Sequence, residues 1–121
     1  MLDLNRREAH DREIYNEYGK QGMIGAMIPW KGNEPISFTA YGLMNKEVER
    51  VDSSFRSMLS VQASLVTWPI FAYGKDELKN RVLDKLISGE FVGSFGLTEP
   101  DHGSDPGSMA TTATKQVYPY F

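Results

Sequence analysis

The stretch Phe95-Gly96-Leu97-Thr98-Glu99-Pro100-Asp101-His102-Gly103-Ser104-Asp105 is where the chain changes character. Up to residue 88, apolar residues recur at helical intervals. Here that period ends, and the residues spell a strand running into a turn. Gly96 lets a planar group or another backbone approach closely. Thr98 presents a hydroxyl at the strand end. Gly103, Ser104 and Asp105 can turn successive amides toward one point, the geometry of an anion-binding nest. The same residues also make an ordinary strand closed by a type I turn with an Asx or Ser cap. Local chemistry supports both readings.

Working upstream, the pattern is helical. Residues 11–22 place Ile14 and Tyr18 on one face, with Gly19 or Gly22 near the end. An apolar connector follows over residues 23–29, then a loop marked by Gly32, Asn33 and Pro35. Ser37 is the expected cap of a second helix, whose stripe is Ala40, Leu43, Met44, Val48 and Val51. Asp52, Ser53 and Ser54 break it and offer a new cap. Residues 55–73 are apolar nearly all round, as a central helix is, and Pro69 should kink or split it before Tyr73-Gly74 ends it. Residues 75–88 form a fourth helix with Leu78, Val82, Leu83, Leu86 and Ile87 in its stripe and Gly89 just past its end.

Downstream, residues 91–98 read as one strand, and residues 111–117 begin a second. The expected class is therefore mainly α: a bundle of about four helices, then the first one or two strands of a β-domain. The division falls at 1–90 and 91–121. One strand cannot satisfy its own edges, so the chain is expected to stop in mid-sheet.

Composition narrows the chemistry. The chain has 121 residues and a formal net charge of −3, which argues against a nucleic-acid binder that must replace phosphate counterions. It has no cysteine, which removes disulfides, thiolate metal sites and a cysteine nucleophile. His10 and His102 are far apart, and no pair sits at metal-ligand spacing, so no metal site is expected. Residues 1–10 carry charges of both signs without an apolar core, so no targeting segment is expected. Residues 57–74 hold no charge, but Ser57, Ser60, Gln62, Ser64, Thr67 and Pro69 interrupt them, so a buried helix is expected in place of a membrane span.

Two further candidates stand out. Arg56 is the last charge before that uncharged run and lies near a helix start, where cations are disfavoured. It can grip a carboxylate through two parallel hydrogen bonds, or it can snorkel to solvent or pair with Glu49 or Asp52. Ser57, Gln62 and Ser64 can line a ligand wall, or be buried groups bonded to backbone. The carboxylates around residues 46–50 and 75–84 alternate with basic residues, as solvated helix faces do.

Thr98-Glu99-Pro100, a short gap, and Gly103-Ser104-Asp105 resemble the start of the middle β-domain of the acyl-CoA dehydrogenases. Gly19 with Gly22, Arg50-Val51-Asp52, residues 57–64, Pro69, Tyr73-Gly74 and Gly89-Glu90 also fall where that family's helical domain would have them. Phe55-Arg56-Ser57, Ser60-Val61-Gln62 and Phe95-Gly96-Leu97 are similar to the glutaryl-CoA branch.

The resemblance implies FAD as cofactor. It assigns the flavin segment to Phe95, Gly96, Leu97, Thr98, Glu99, Pro100, Asp101, His102, Gly103 and Ser104. Within it, Leu97 and Thr98 would meet the isoalloxazine, and Ser104 the FAD phosphates and the CoA chain. Asp101 and His102 have no individual role. Arg56, with Ser57 beside it, would meet the distal carboxylate of glutaryl-CoA. The implied reaction is oxidation and decarboxylation of glutaryl-CoA to crotonyl-CoA, with electrons passed to an electron-transfer flavoprotein. A homotetramer is implied, in the mitochondrial matrix of a eukaryote or the cytoplasm of a bacterium. The family's catalytic glutamate lies in its C-terminal helical domain, so no residue of this chain is assigned as catalytic, and the chain alone is expected to be inactive. The first part of the helical domain is expected to be missing, and Tyr118 to Phe121 do not continue the β-domain pattern. Other readings are another short-chain acyl-CoA dehydrogenase or flavin oxidase, or a non-catalytic helical interaction module.

Overall fold

A computed structural model describes Asp3 and residues 6–115. Its helices are α1 (Glu13–Lys20), α2 (Phe38–Val51), α3 (Ser53–Ser60), a π-helical turn (Val61–Thr67), α4 (Trp68–Tyr73) and α5 (Asp76–Ile87). A 3-10 turn follows at Pro106–Ser108. The mainly helical expectation holds, with α3, the π turn and α4 forming the long central helix.

The punctuation behaves as the residue types dictate. The Ser37 hydroxyl accepts from the Ala40 amide at 3.2 Å and starts α2. Asp52 is extended (φ −167°), and its carboxylate accepts from the Ser54 amide at 2.8 Å, ending one helix and capping the next. Gly89 takes φ +80° directly beyond α5. Asp76 and Glu77 in the first turn of α5 and Lys85 in its last suit the helix dipole.

The long helix folds back against α2. Tyr41 meets Ser64 (2.8 Å between hydroxyls) and Glu49 meets Arg56, the pairing of two antiparallel helices. Helix α1 also lies across α3, where the buried Tyr18 donates its hydroxyl to the Phe55 carbonyl at 3.1 Å. Burial, reinforced by Tyr15 and Asp52, pushes that phenol up to about 12. Tyr18, Ile24, Leu59 and Ala63 form the core, with Met44, Val48, Phe55 and Met58 packed around them. Leu83 and Leu86 of α5 are also buried, and Leu78, Val82 and Ile87 are half-buried, as the expected stripe requires.

Two expectations are corrected. In α2 the inward face is Tyr41, Met44 and Val48, while Leu43 and Val51 are each 58% exposed. That helix is covered on one side only, so part of its apolar stripe stays in solvent. The 55–73 run is divided as expected: Pro69 is the second residue of α4, directly after the π turn. The expected strands are not formed among the described residues. Residues 93–98 and 109–115 have no helix or ladder, because a strand needs a second strand to accept its hydrogen bonds and none lies alongside. The last two residues of the expected second strand, and Tyr118 to Phe121, lie outside the described residues.

Candidate functional site

The segment Phe95 to Ser104 leaves the helices as an open, solvent-facing chain. Phe95 is 47% exposed and Leu97 38% exposed. A Cβ placed on Gly96 would meet nothing within 4 Å. Among the described residues, the amides of Gly96, Leu97 and Thr98 make no hydrogen bond. These residues thus present an apolar edge, free amide donors and room for close approach. That combination fits a planar, acceptor-bearing ring such as a flavin.

The turn beyond is organised by Glu99. Its backbone exchanges two hydrogen bonds with His102 (3.2 and 3.3 Å). Its carboxylate accepts from the amides of Ala110 and Thr111, each at 2.8 Å, and from the Thr111 hydroxyl. The Thr111 hydroxyl and then the two amides hold the Glu99 carboxyl below its usual range. Pro100 to Ser104 are therefore enclosed in a loop whose two ends are tied. Asp101, Gly103 and Ser104 are exposed, and His102 is half-buried. The amides of Gly103 and Ser104 also have no partner among the described residues, which suits them to phosphate oxygens.

Arg56 lies on α3 and is neither free nor pointed away. Its Nε donates to Glu49 at 2.7 Å, and one Nη donates to the Ser60 hydroxyl at 3.3 Å. Its second Nη has no partner among the described residues. Of the sequence alternatives, pairing with Glu49 is the one realised, while Asp52 is committed to its cap. Glu49 also accepts from the Ser53 hydroxyl at 2.6 Å, and this bond and Arg56 hold its carboxyl low. The sequence offers Glu49 as one of two partners for Arg56, whereas Ser60 joins it only in the structure. The Arg56–Ser60 spacing of one helical turn was a usable signal. Glu49 depended on how α2 folds back.

Of the uncharged helix's polar residues, Gln62 is completely buried and bonded to backbone, as the structural alternative holds. Ser64 lies on the wall of an apolar cavity of about 360 Å³, with Tyr41, Ile24, Met27, Phe38 and Trp68. That cavity shares no residue with the Arg56 cluster or with Phe95 to Ser104. No group of three or more acidic or histidine side chains among the described residues is arranged to hold a metal ion. No helix among them is long and apolar enough to cross a membrane.

The acyl-CoA dehydrogenase N-terminal domain matches residues 1–90, and the chain belongs to the acyl-CoA dehydrogenase family. These are FAD enzymes that oxidise a CH–CH bond. Within the family, the chain is similar to a glutaryl-CoA dehydrogenase crystal structure from Mycobacterium smegmatis. The identity is 47% and the TM-score 0.79, over 87% of this chain and 27% of that one. A second glutaryl-CoA dehydrogenase structure from the same organism, in complex with FADH2, matches at 42% identity and TM-score 0.76, over 82% and 26%. The chain is also 36% identical to an acyl-CoA dehydrogenase of Bacillus subtilis (86% of this chain, 28% of that). It is 36% identical to the glutaryl-CoA dehydrogenase of Desulfococcus multivorans (84% and 27%). The chain therefore spans just over a quarter of the length of these relatives.

Proposed function

We propose that the chain supplies the helical domain (residues 1–90) and the flavin-contact segment of an FAD-dependent dehydrogenase acting on glutaryl-CoA. The observation that carries the dicarboxylate reading is Arg56. It is the only charge on the inner helix from residue 53 to residue 74, and Glu49 fixes its orientation. Ser57 and Ser60 stand beside it, and one guanidinium nitrogen is left over for an incoming carboxylate. A guanidinium oriented in advance loses less freedom when it binds a carboxylate.

FAD, when bound, supplies the acceptor for the hydride lost from the β-carbon. The chain's residues orient the reactants. Phe95 and Leu97 give the ring an apolar edge, Gly96 permits contact, and the Leu97 backbone and Thr98 hydroxyl offer hydrogen bonds. Ser104 and the amide of Gly103 meet phosphate oxygens, and Ser104 also faces the CoA chain. Arg56 and Ser57 hold the distal carboxylate, the group that leaves as carbon dioxide when crotonyl-CoA forms. The base that takes the α-proton is not among these residues. Glu99 and Glu49 are both held in their weakly basic, hydrogen-bonded form. The electrons pass to an electron-transfer flavoprotein, and the working assembly is a homotetramer.

The test is a chimera in which this chain replaces the matching part of the M. smegmatis enzyme. Arg56→Ala should raise KM for glutaryl-CoA by about 10- to 100-fold, the loss expected for a charged hydrogen-bond pair. KM for butyryl-CoA should change by less than about twofold, since that substrate has no distal charge. Equal effects on both substrates would remove the dicarboxylate reading.

A further inference from the structure

Among the described residues, Gln62 and Thr67 are the polar side chains enclosed completely, each at 0% exposure. Both amide protons and the oxygen of Gln62 are engaged. Its Nε2 donates to the Leu86 carbonyl at 3.0 Å and the Phe91 carbonyl at 2.8 Å. Its Oε1 accepts from the Gly93 amide at 3.0 Å. None of these partners lies on its own helix. A side chain present only to fill space needs no amide there, since a buried amide costs free energy unless every group is paired.

What these bonds do is fix a path. They hold the backbone from the last turn of α5 to two residues short of Phe95. Val66, one turn further along the same face, completes the grip. Gly93 is seated against it so closely that an added Cβ would lie 2.3 Å from Val66 Cγ1. The helix is modified at this point. It widens into the π turn, and the Thr67 hydroxyl donates to the Gln62 carbonyl at 2.6 Å. Such turns recur at functional sites.

We propose that Gln62 is a positioning residue that sets where the chain enters Phe95 to Ser104. Its consequence for flavin rests on the function proposed above. Gln62 grips the strand-like exit by its backbone, and Val66 limits how it can slide.

Amide hydrogen exchange on the whole chain tests this. In the wild type the Gly93 amide should exchange about tenfold more slowly than that of Gly96. Gln62→Met should bring Gly93 to the Gly96 level, while the Leu83 and Leu86 amides stay within about twofold. An unchanged Gly93, or an equal rise at Leu83 and Leu86, would overturn the proposal, because Gln62 would then be core filling. Should Gln62→Met fail to fold, Gly93→Ala probes the same grip from the other side. It should speed exchange across residues 91–98 by about tenfold, and adding Val66→Ala should restore most of the protection. No rescue would equally overturn it. In the chimera described above, added FAD should slow exchange at residues 95–98, with about tenfold more FAD required in Gln62→Met. If FAD leaves these amides untouched in the wild type while the Gly93 result holds, the flavin reading fails and the positioning role stands.

Discussion

Three glycines separate two kinds of cost at the junction of α1 and α5. Gly22 and Gly89 both adopt left-handed backbone, at φ +70° and +80°. A Cβ on Gly22 would meet nothing within 4 Å, whereas one on Gly89 would lie 2.1 Å from the Tyr15 carbonyl oxygen and 2.3 Å from its carbon. Gly19 presents the reciprocal clash without the left-handed backbone, 2.1 Å from the Ser88 carbonyl oxygen. Gly22→Ala should therefore cost only the left-handed strain, about 1–2 kcal/mol. About 0.4–1 kcal/mol of that is offset by the stiffer unfolded chain. Gly89→Ala bears the same strain plus the separation of two backbones that no rotamer can relieve. We expect it to exceed Gly22→Ala by about 2 kcal/mol or more, in the upper range of overpacking costs. Gly19→Ala should destabilise as well, even though alanine is the better helix former. Urea unfolding followed by far-ultraviolet circular dichroism gives the midpoints and slopes. If Gly89→Ala and Gly22→Ala agree within about 0.5 kcal/mol, the backbone-on-backbone contact is not what holds α5 to α1.

Leu59, with no exposed surface, should cost about 3–5 kcal/mol as Leu59→Ala, since Tyr18, Ile24 and Ala63 surround the cavity left behind; urea midpoints check it. Tyr18 makes stability depend on high pH: its folded value lies above its unfolded one, so its contribution is complete below about 10 and is lost as pH rises toward about 12. Tyr18→Phe should flatten most of that loss in a stability-versus-pH series, leaving the smaller effect of Tyr15, which has the same sign. An unchanged slope in that series would mean that the Tyr18 phenol is not the group responsible.

What was legible in the sequence was what local chemistry decides. Ser37 and Asp52 cap as their side chains predict, Gly89 ends α5, and the uncharged run is the inner helix. The stripe of α5 follows directly from its period. The missed features depend on distant neighbours. Leu43 and Val51 look like core residues in α2, and they are exposed because no described residue packs on that flank. Residues 91–98 have strand composition, and they remain unladdered for want of a partner. The π turn leaves no compositional mark, since Gln62 and Thr67 define it only through bonds made in three dimensions. At the candidate site, the Phe95 to Ser104 motif and Arg56 were visible as residues. The grip of Glu49 on Arg56 and of Gln62 on Gly93 depends on helices folding back.

The Glu99 carboxylate has a consequence for how costly binding at the turn would be. By joining the amides of Ala110 and Thr111 to the foot of the turn, it works as a latch across a short ring of chain. Closing such a ring costs entropy, and here that cost is met during folding. An anion reaching Gly103 and Ser104 would meet a rim whose ends are already tied and would not have to order it. Acid should open the latch, because the carboxylate that closes it is held low and its bonds are lost as pH falls through that range. The turn is then closed by a group that titrates: its ends stay tied only while the Glu99 carboxylate keeps its charge.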